Sequence, residues 1–174
     1  MTAAPAGRSS AQFLIEPLDT RHDRTHFACG VPALDRYFRE QVSQDVRRRV
    51  TACFAAVEST TLVVAGCYTL SAGSVPLDAL PPATAKKLPR YPSVPVVRMG
   101  RLAVAVPFHG AGLGAPLLAD ALARAANVQI GAYALLVDAK DGNAAAFYAH
   151  HGFKAFAHEP LTLFLPLATV AGIA

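Results

Sequence analysis

Apolar and polar positions alternate in short blocks along this chain, and the blocks change period several times. Phe13 to Glu16 reads as a first strand ended by Pro17, followed by a polar connection from Asp19 to Gly30. From Pro32 the spacing of Leu34, Tyr37, Phe38 and Val42 is helical, with Asp35, Arg39 and Ser43 on other faces. Thr51–Glu58 and Leu62–Ser71 are strand-like and are separated by the turn-prone Glu58-Ser59-Thr60-Thr61. Pro76 to Pro95 is proline-rich and reads as a long loop with one short helix around Ala83 to Leu88. Val96 to Val106 is another apolar strand.

The second half alternates more regularly. A turn over Gly110 to Gly114 leads into a helix running to about Val128, with Leu113, Leu117, Ala121, Leu122 and Ala125 as its apolar stripe. Asp120, Arg124 and Asn127 fall on the opposite side. Ala134–Asp138 is fully apolar up to its last residue, as expected of a central strand. Asn143 is placed to cap a helix through His150, which Gly152 stops. Phe153–Ala157 and Leu161–Leu165 complete the strands. Antiparallel-looking strands followed by strand–helix–strand–helix–strand predict an α/β fold, a mixed sheet with helices on both faces.

Composition narrows the class. A chain of 174 residues, 53% hydrophobic and 16% charged, buries one core and not two, and is too apolar for general disorder. Residues 1–12 are rich in Ala, Ser and Gly and are expected to be disordered, leaving residues 13–174 as a single domain. The longest apolar tract, Leu161–Ala174, is short for a bilayer crossing and is interrupted by Thr162, Pro166 and Thr169. With no apolar stretch near Met1 to suggest a signal peptide, a soluble cytoplasmic protein is expected. The net charge of +4 permits an anionic partner without requiring one. Cys29, Cys53 and Cys67 form no CxxC pair, and His150 and His151 point different ways on a helix, so no metal site is expected.

The densest chemistry lies between Arg101 and Leu118. A buried strand feeds glycines 110, 112 and 114, which open a helix carrying Pro116 in its first turn. Glycines admit close backbone approach, and a helix N-terminus suits a pyrophosphate. A Walker A loop needs Gly-Lys-Ser/Thr, which Leu113-Gly114-Ala115 does not supply. Gly110-Ala111-Gly112-Leu113-Gly114-Ala115 fits a dinucleotide fingerprint with Asp138 ending the next strand, but too little chain follows Asp138 for a doubly wound domain. Taken alone, the loop serves equally as a phosphate cradle or a plain turn.

A second motif, Asn143…Phe147-Tyr148…Gly152-Phe153, changes that balance. The loop and this motif, in this order, resemble the GCN5-related N-acetyltransferases (GNAT). The likeness extends to Phe27-Ala28-Cys29-Gly30, Leu34-Asp35-Arg36-Tyr37-Phe38, Gly66-Cys67-Tyr68-Thr69-Leu70-Ser71, Gly100-Arg101-Leu102-Ala103-Val104 and Leu136-Val137-Asp138-Ala139. These segments look like the GNAT toxins of type II toxin–antitoxin systems. His109 stands where the family usually has Gln or Arg, and Ala105 where the toxins usually carry Asp.

The resemblance implies the GNAT (acyl-CoA N-acyltransferase) fold, a mixed, mostly antiparallel sheet flanked by helices and splayed where acetyl-CoA enters. It implies acetyl transfer from acetyl-CoA to the α-amino group of aminoacyl-tRNA, a ribbon–helix–helix antitoxin partner and a homodimer. His109, Gly110, Ala111, Gly112, Leu113 and Gly114 would cradle the pyrophosphate. Leu102, Ala103 and Val104 would hold the acetyl carbonyl and pantetheine arm through their backbone, with Asn143 on the same arm. Tyr148 would serve as the acid for the leaving sulfur; its alternative role is core packing beside Phe147. Arg47, Arg48, Arg49, Lys86, Lys87, Arg90 and Arg98 are the candidates for tRNA phosphates, the alternative being a solvated charged face. The rival activity is a GNAT acting on a protein or small-molecule amine; a third possibility is a binding protein without turnover.

Overall fold

The computed structural model describes residues 12–171. The segment expected to be disordered lies outside the described residues, apart from Gln12, whose carbonyl accepts from the Ser59 N–H at 2.8 Å. Seven strands form one sheet in the order β1-β2-β3-β4-β5-β7-β6. They are β1 (Phe13–Pro17), β2 (Ala52–Glu58), β3 (Val64–Pro76), β4 (Ser93–Val104), β5 (Ala134–Asp138), β6 (Lys154–Ala155) and β7 (Thr162–Pro166). Every neighbouring pair is antiparallel except β4–β5, whose connection crosses over through α4 (Gly114–Ala126).

Strand alternation divides the core into layers. Val97, Met99, Leu135 and Val137 face α4, which buries Leu117, Leu118, Ala121 and Ala125 against them. The other sheet face carries two separate layers. On one side, α1 (Pro32–Arg36) continues through a π-helical turn, Tyr37–Gln41, into α2 (Val42–Arg47) and packs with Cys53, Ala55 and Cys67. On the other, the short α3 (Pro82–Ala85) and its flanking loop cover Val75, Val94, Val96 and Leu136.

Several expectations are corrected. The segment read as loop from Pro76 to Pro95 starts and ends inside the sheet, because β3 and β4 pair as far as Pro76 and Ser93. Helix α3 covers Pro82–Ala85 and not Ala83–Leu88. Strand β4 stops at Val104; Val106–Phe108 is a 3-10 turn. A helix follows β7 at Leu167–Ala171, placing Leu167 against the main core. Asp120 and Arg124 do not form a free polar face: Asp120 accepts from Tyr68, and the Arg124 guanidinium lies 4.1 Å from the Phe54 ring centre. Among the described residues no helix is long and apolar enough to cross a membrane.

Candidate active site

The site arises where β4 leaves β5. Their parallel pairing runs from Val96↔Ala134 to Met99↔Val137 and stops. The cause lies on the other edge of β4. Its register with β3 passes from Thr69↔Gly100 to Cys67↔Ala103, so Arg101 and Leu102 are a bulge with one residue in excess, and Arg101 takes φ of +53°. A bulge bends and twists its strand, and here it swings Gly100–Val104 away from β5. The opening is a cavity of about 340 Å³ lined by Met99–Val104, His109, Asp138–Lys140, Ala144, Phe147 and Tyr148, with Cys29, Val31 and Leu34 as a further wall.

Three elements border this cavity. The loop into α4 reaches it through His109 and a further helix reaches it through Ala144, Phe147 and Tyr148, while Gly110–Gly114 and Asn143 do not line it. The first is β4, whose residues Leu102, Ala103 and Val104 lie along the edge that β5 has vacated. The second is the loop into α4. Gly110 (φ +78°) and Gly112 (φ +75°) take left-handed conformations with open space where a Cβ would stand. No side chain caps α4, so the N–H groups of Gly114 and Ala115 point out of the helix without an intrahelical partner. Gly110, Ala111 and Gly112 are exposed, whereas Leu113 is buried under the helix and contributes only backbone. An uncapped helix N-terminus behind two left-handed glycines fits a pyrophosphate. The His109 ring folds back, donating from Nε2 to the Val104 carbonyl at 2.7 Å, and so ties the loop to the end of β4.

The third element is α5 (Gly142–His150). Tyr148 is buried at 7% exposure against Phe153 and Phe147, yet its hydroxyl has no hydrogen-bond partner among the described residues and lines the cavity. Burial alone pushes its phenol up to about 12. It is therefore a protonated donor with an unused O–H. Asn143 does not cap this helix. Asp141 does, its carboxylate accepting from the Ala144 N–H at 2.8 Å, and Asn143 sits exposed in the first turn. The Asp141-Gly142 pair ahead of an alanine run was the available signal for this cap.

Charge around the cavity is mostly engaged. Asp138 pairs with Arg98 and also accepts from Thr162 at 3.1 Å, so Arg98 is not a free cation. Arg101 lays its guanidinium 3.7 Å from the Tyr37 ring centre, on the wall shared with Cys29 and Leu34. Sequence reasoning missed that wall and Arg101, because they depend on the bulge and on the loop held by the buried Asp35, which accepts from the Cys29 N–H at 2.7 Å. Arg47, Arg48 and Arg49 are exposed where α2 turns into β2, and Lys86, Lys87 and Arg90 are exposed on the loop around α3. None of these six lines the cavity. Among the described residues no group of three or more His, Cys, Asp or Glu is arranged to hold a metal ion.

Comparison with known proteins agrees with this geometry. Residues 88–162 match the acetyltransferase (GNAT) domain. The chain is 36% identical over 145 residues to a tRNA-acetylating toxin of Mycobacterium tuberculosis, covering 82% of this chain and 85% of that protein. It is 29% identical over 178 residues to a probable toxin TacT of Sinorhizobium fredii, covering 97% and 98%. Among solved structures, AtaT complexed with acetyl-methionyl-tRNAfMet superposes with a TM-score of 0.84 at 29% identity, over 93% of this chain and 99% of that one. An AtaT mutant bound to the C-terminus of the antitoxin AtaR gives 0.76 at 25%, over 92% and 97%. The likeness runs through most of the chain, splayed strands and glycine turn included, and this chain belongs to the GNAT acetyltransferases, in their toxin branch.

Proposed function

We propose that this protein is the toxin of a toxin–antitoxin pair and transfers the acetyl group of acetyl-CoA to the α-amino group of aminoacyl-tRNA, stopping translation in the cytoplasm. The observation that carries this reading is the unpaired Tyr148 hydroxyl in the cavity at the gap between β4 and β5, which the glycine turn ahead of α4 reaches through His109. The AtaT and M. tuberculosis relatives support the acceptor class. The single sheet through all seven strands supports reading residues 13–174 as one acetyltransferase domain. AtaT's complex with AtaR supports an antitoxin partner, which we assign to the ribbon–helix–helix type, with the toxin itself a homodimer.

Acetyl-CoA supplies the activated thioester. Backbone groups of Leu102 to Val104 hold the acetyl carbonyl and pantetheine arm, with Asn143 on that arm. Within the His109–Gly114 loop the main-chain N–H groups of Gly110, Gly112, Leu113 and Gly114 take the pyrophosphate, while those of His109 and Ala111 donate to the Val106 and Phe108 carbonyls and shape the turn. In the transfer the amine nitrogen bonds to the carbonyl carbon as the carbon–sulfur bond breaks. The amine sheds one proton and the sulfur gains one. An α-amino group has a reference pKa of about 7.7–8.0, so a neutral fraction exists near pH 7 without a strong base. Lys140 and Arg101, which line the same cavity, favour that neutral form further. Tyr148 donates its O–H to the sulfur as negative charge builds there. Its pKa of about 12 lies far above that of a thiol, about 8.5, so it shares its proton with the sulfur more than it surrenders it.

The test is transfer of labelled acetyl to a charged total tRNA pool, wild type beside Tyr148→Phe. Labelled aminoacyl-tRNA, sharply reduced in the variant, is the expected result. Unlabelled tRNA despite demonstrated acetyl-CoA binding would redirect the search to protein and small-amine acceptors.

A further inference from the structure

The sheet face opposite α4 is open between its two covering layers. Ser71, Arg98 and Gly100 share this face with Val94 and Val96, and Asp138 with Leu136, yet none of the four is buried. The opening leads to the active-site cavity, which Gly100 and Asp138 line. Positive charge borders it: the arginine triplet 47–49 on the β2 side, level with Ser71 through the Ala52↔Leu70 pairing, and Lys86 with Arg90 at the β3–β4 hairpin.

At the hairpin end lies a second cavity, of about 780 Å³. Tyr91 lines it at 69% exposure, in the same cavity as Lys86 and Arg90; Asp78 is its one acidic residue. Leu77, Pro82 and Pro92 give it apolar walls, and the Leu77 N–H donates to the Pro92 carbonyl at 3.2 Å, so the loop is closed on itself before any ligand arrives. An exposed aromatic ring on a proline-stiffened loop contributes nothing to the core and is ready-made for stacking. Exposed aromatics beside cations are how proteins grip unpaired nucleic acid, the ring taking a base face and the cations its phosphates. From Ser93 to Met99, β4 covers about 20 Å at ~3.3 Å per residue, a span for several unstacked nucleotides.

We infer that Tyr91, with Lys86 and Arg90, is a stacking platform for an unpaired base near the 3′ end of the acceptor RNA, whose esterified end then runs along the open face to Tyr148. This inference rests on the proposed acceptor class and adds the surface that holds it.

Steady-state acetylation of charged tRNA by wild type, Tyr91→Ala and Tyr91→Phe tests it, with the same amino acid esterified to adenosine alone as an acceptor too short to reach Tyr91. Loss of one base–aromatic stack raises the KM for tRNA about ten- to hundredfold. The KM for acetyl-CoA, and turnover of the adenosine ester, stay at wild-type values, and Tyr91→Phe restores the tRNA KM. Lys86→Ala and Arg90→Ala each flatten the salt dependence of the tRNA KM. An unchanged tRNA KM in Tyr91→Ala would overturn the platform, as would an equal loss on the adenosine ester. Normal tRNA kinetics with lost antitoxin affinity would overturn it too, reassigning the patch to a protein contact. A wild-type enzyme that acetylates neither acceptor would instead remove the proposed activity itself.

Discussion

Substituting Gly66 tests whether the fold and the co-substrate site are mechanically one unit. Gly66 lies in β3 where the sheet, the bulged end of β4 and α4 converge. A Cβ there would stand 2.9 Å from the Ala103 carbonyl oxygen, 3.0 Å from Leu117 Cδ1 and 3.3 Å from Leu113 Cδ2. The backbone oxygen cannot rotate away, and Leu117 is fully buried. Overpacking of this kind costs about 1–3 kcal/mol, offset by about 0.5–1 kcal/mol from removing glycine's freedom in the unfolded chain. Gly66→Ala is therefore destabilised by up to about 2.5 kcal/mol. For a chain of this size that lowers Tm by up to about 10 °C. Gly73, on the same strand, is the internal control. A Cβ there meets Val96 Cγ2 at an ordinary 3.5 Å, so Gly73→Ala gains stability by about 0.4–1 kcal/mol. Thermal melts of the three proteins measure both. Because Gly66 presses on Ala103 and on the residue preceding α4, its variant also raises the KM for acetyl-CoA, while Gly73→Ala leaves that KM alone. A Gly66→Ala protein that melts with or above Gly73→Ala would refute the close-packing argument.

Three further outcomes follow from the site. The pH dependence of acetyl transfer rises through the amine's own range near pH 8 and shows no downturn below pH 10. Tyr148, its pKa raised to about 12, keeps its proton throughout, and a loss of rate that begins below pH 9 would contradict its role. Asp141→Ala removes the α5 cap and about 0.5–2 kcal/mol of stability in denaturant melts, whereas the exposed Asn143→Ala leaves stability unchanged and raises the acetyl-CoA KM in initial-rate assays. Arg101→Gly relaxes the positive φ and keeps acetyl-CoA affinity, but loses the guanidinium stacked on Tyr37 and with it affinity for the charged acceptor, read as a higher tRNA KM.

The parts of the molecule that were legible in the sequence are those whose cause is local. Seven apolar runs bounded by turn residues locate the seven strands, although β3 and β4 extend beyond theirs and the run Phe153–Ala157 pairs only at Lys154–Ala155. Helix α4 follows from a stripe that Leu117, Ala121 and Ala125 do bury. Gly110 and Gly112 announce their left-handed turn because few other residues adopt it. What stayed hidden depends on partners distant in sequence. The extra residue at Arg101-Leu102 has no composition signature, since an arginine at positive φ is chosen by its stacking on Tyr37 and by the register of β3. The wall of Cys29, Val31 and Leu34 needs the buried Asp35, which periodicity puts only on a face of the helix other than the apolar one. Proline density from Pro76 to Pro95 masked the hairpin, because prolines are admitted at its fraying end.

Whether the acetyl group passes directly or by way of the protein is decided by Cys29. It is the one thiol lining the cavity, and a cysteine there could in principle attack the thioester first. Its surroundings oppose this. Burial raises the Cys29 pKa, and the neighbouring Asp35 carboxylate raises it further, so the reactive thiolate is suppressed. No histidine is hydrogen-bonded to it; its Sγ faces the Val31 carbonyl at 3.9 Å. The His109 ring, the only imidazole lining the cavity, is held on Val104. Both substrates must then be bound together, the acceptor amine meeting the thioester within the β4–β5 gap. Initial rates against both substrates should give intersecting double-reciprocal lines, and Cys29→Ser should retain turnover with no acetyl label on the protein. Parallel lines, or a labelled wild-type protein that Cys29→Ser abolishes, would show that the thiol carries the acetyl group after all.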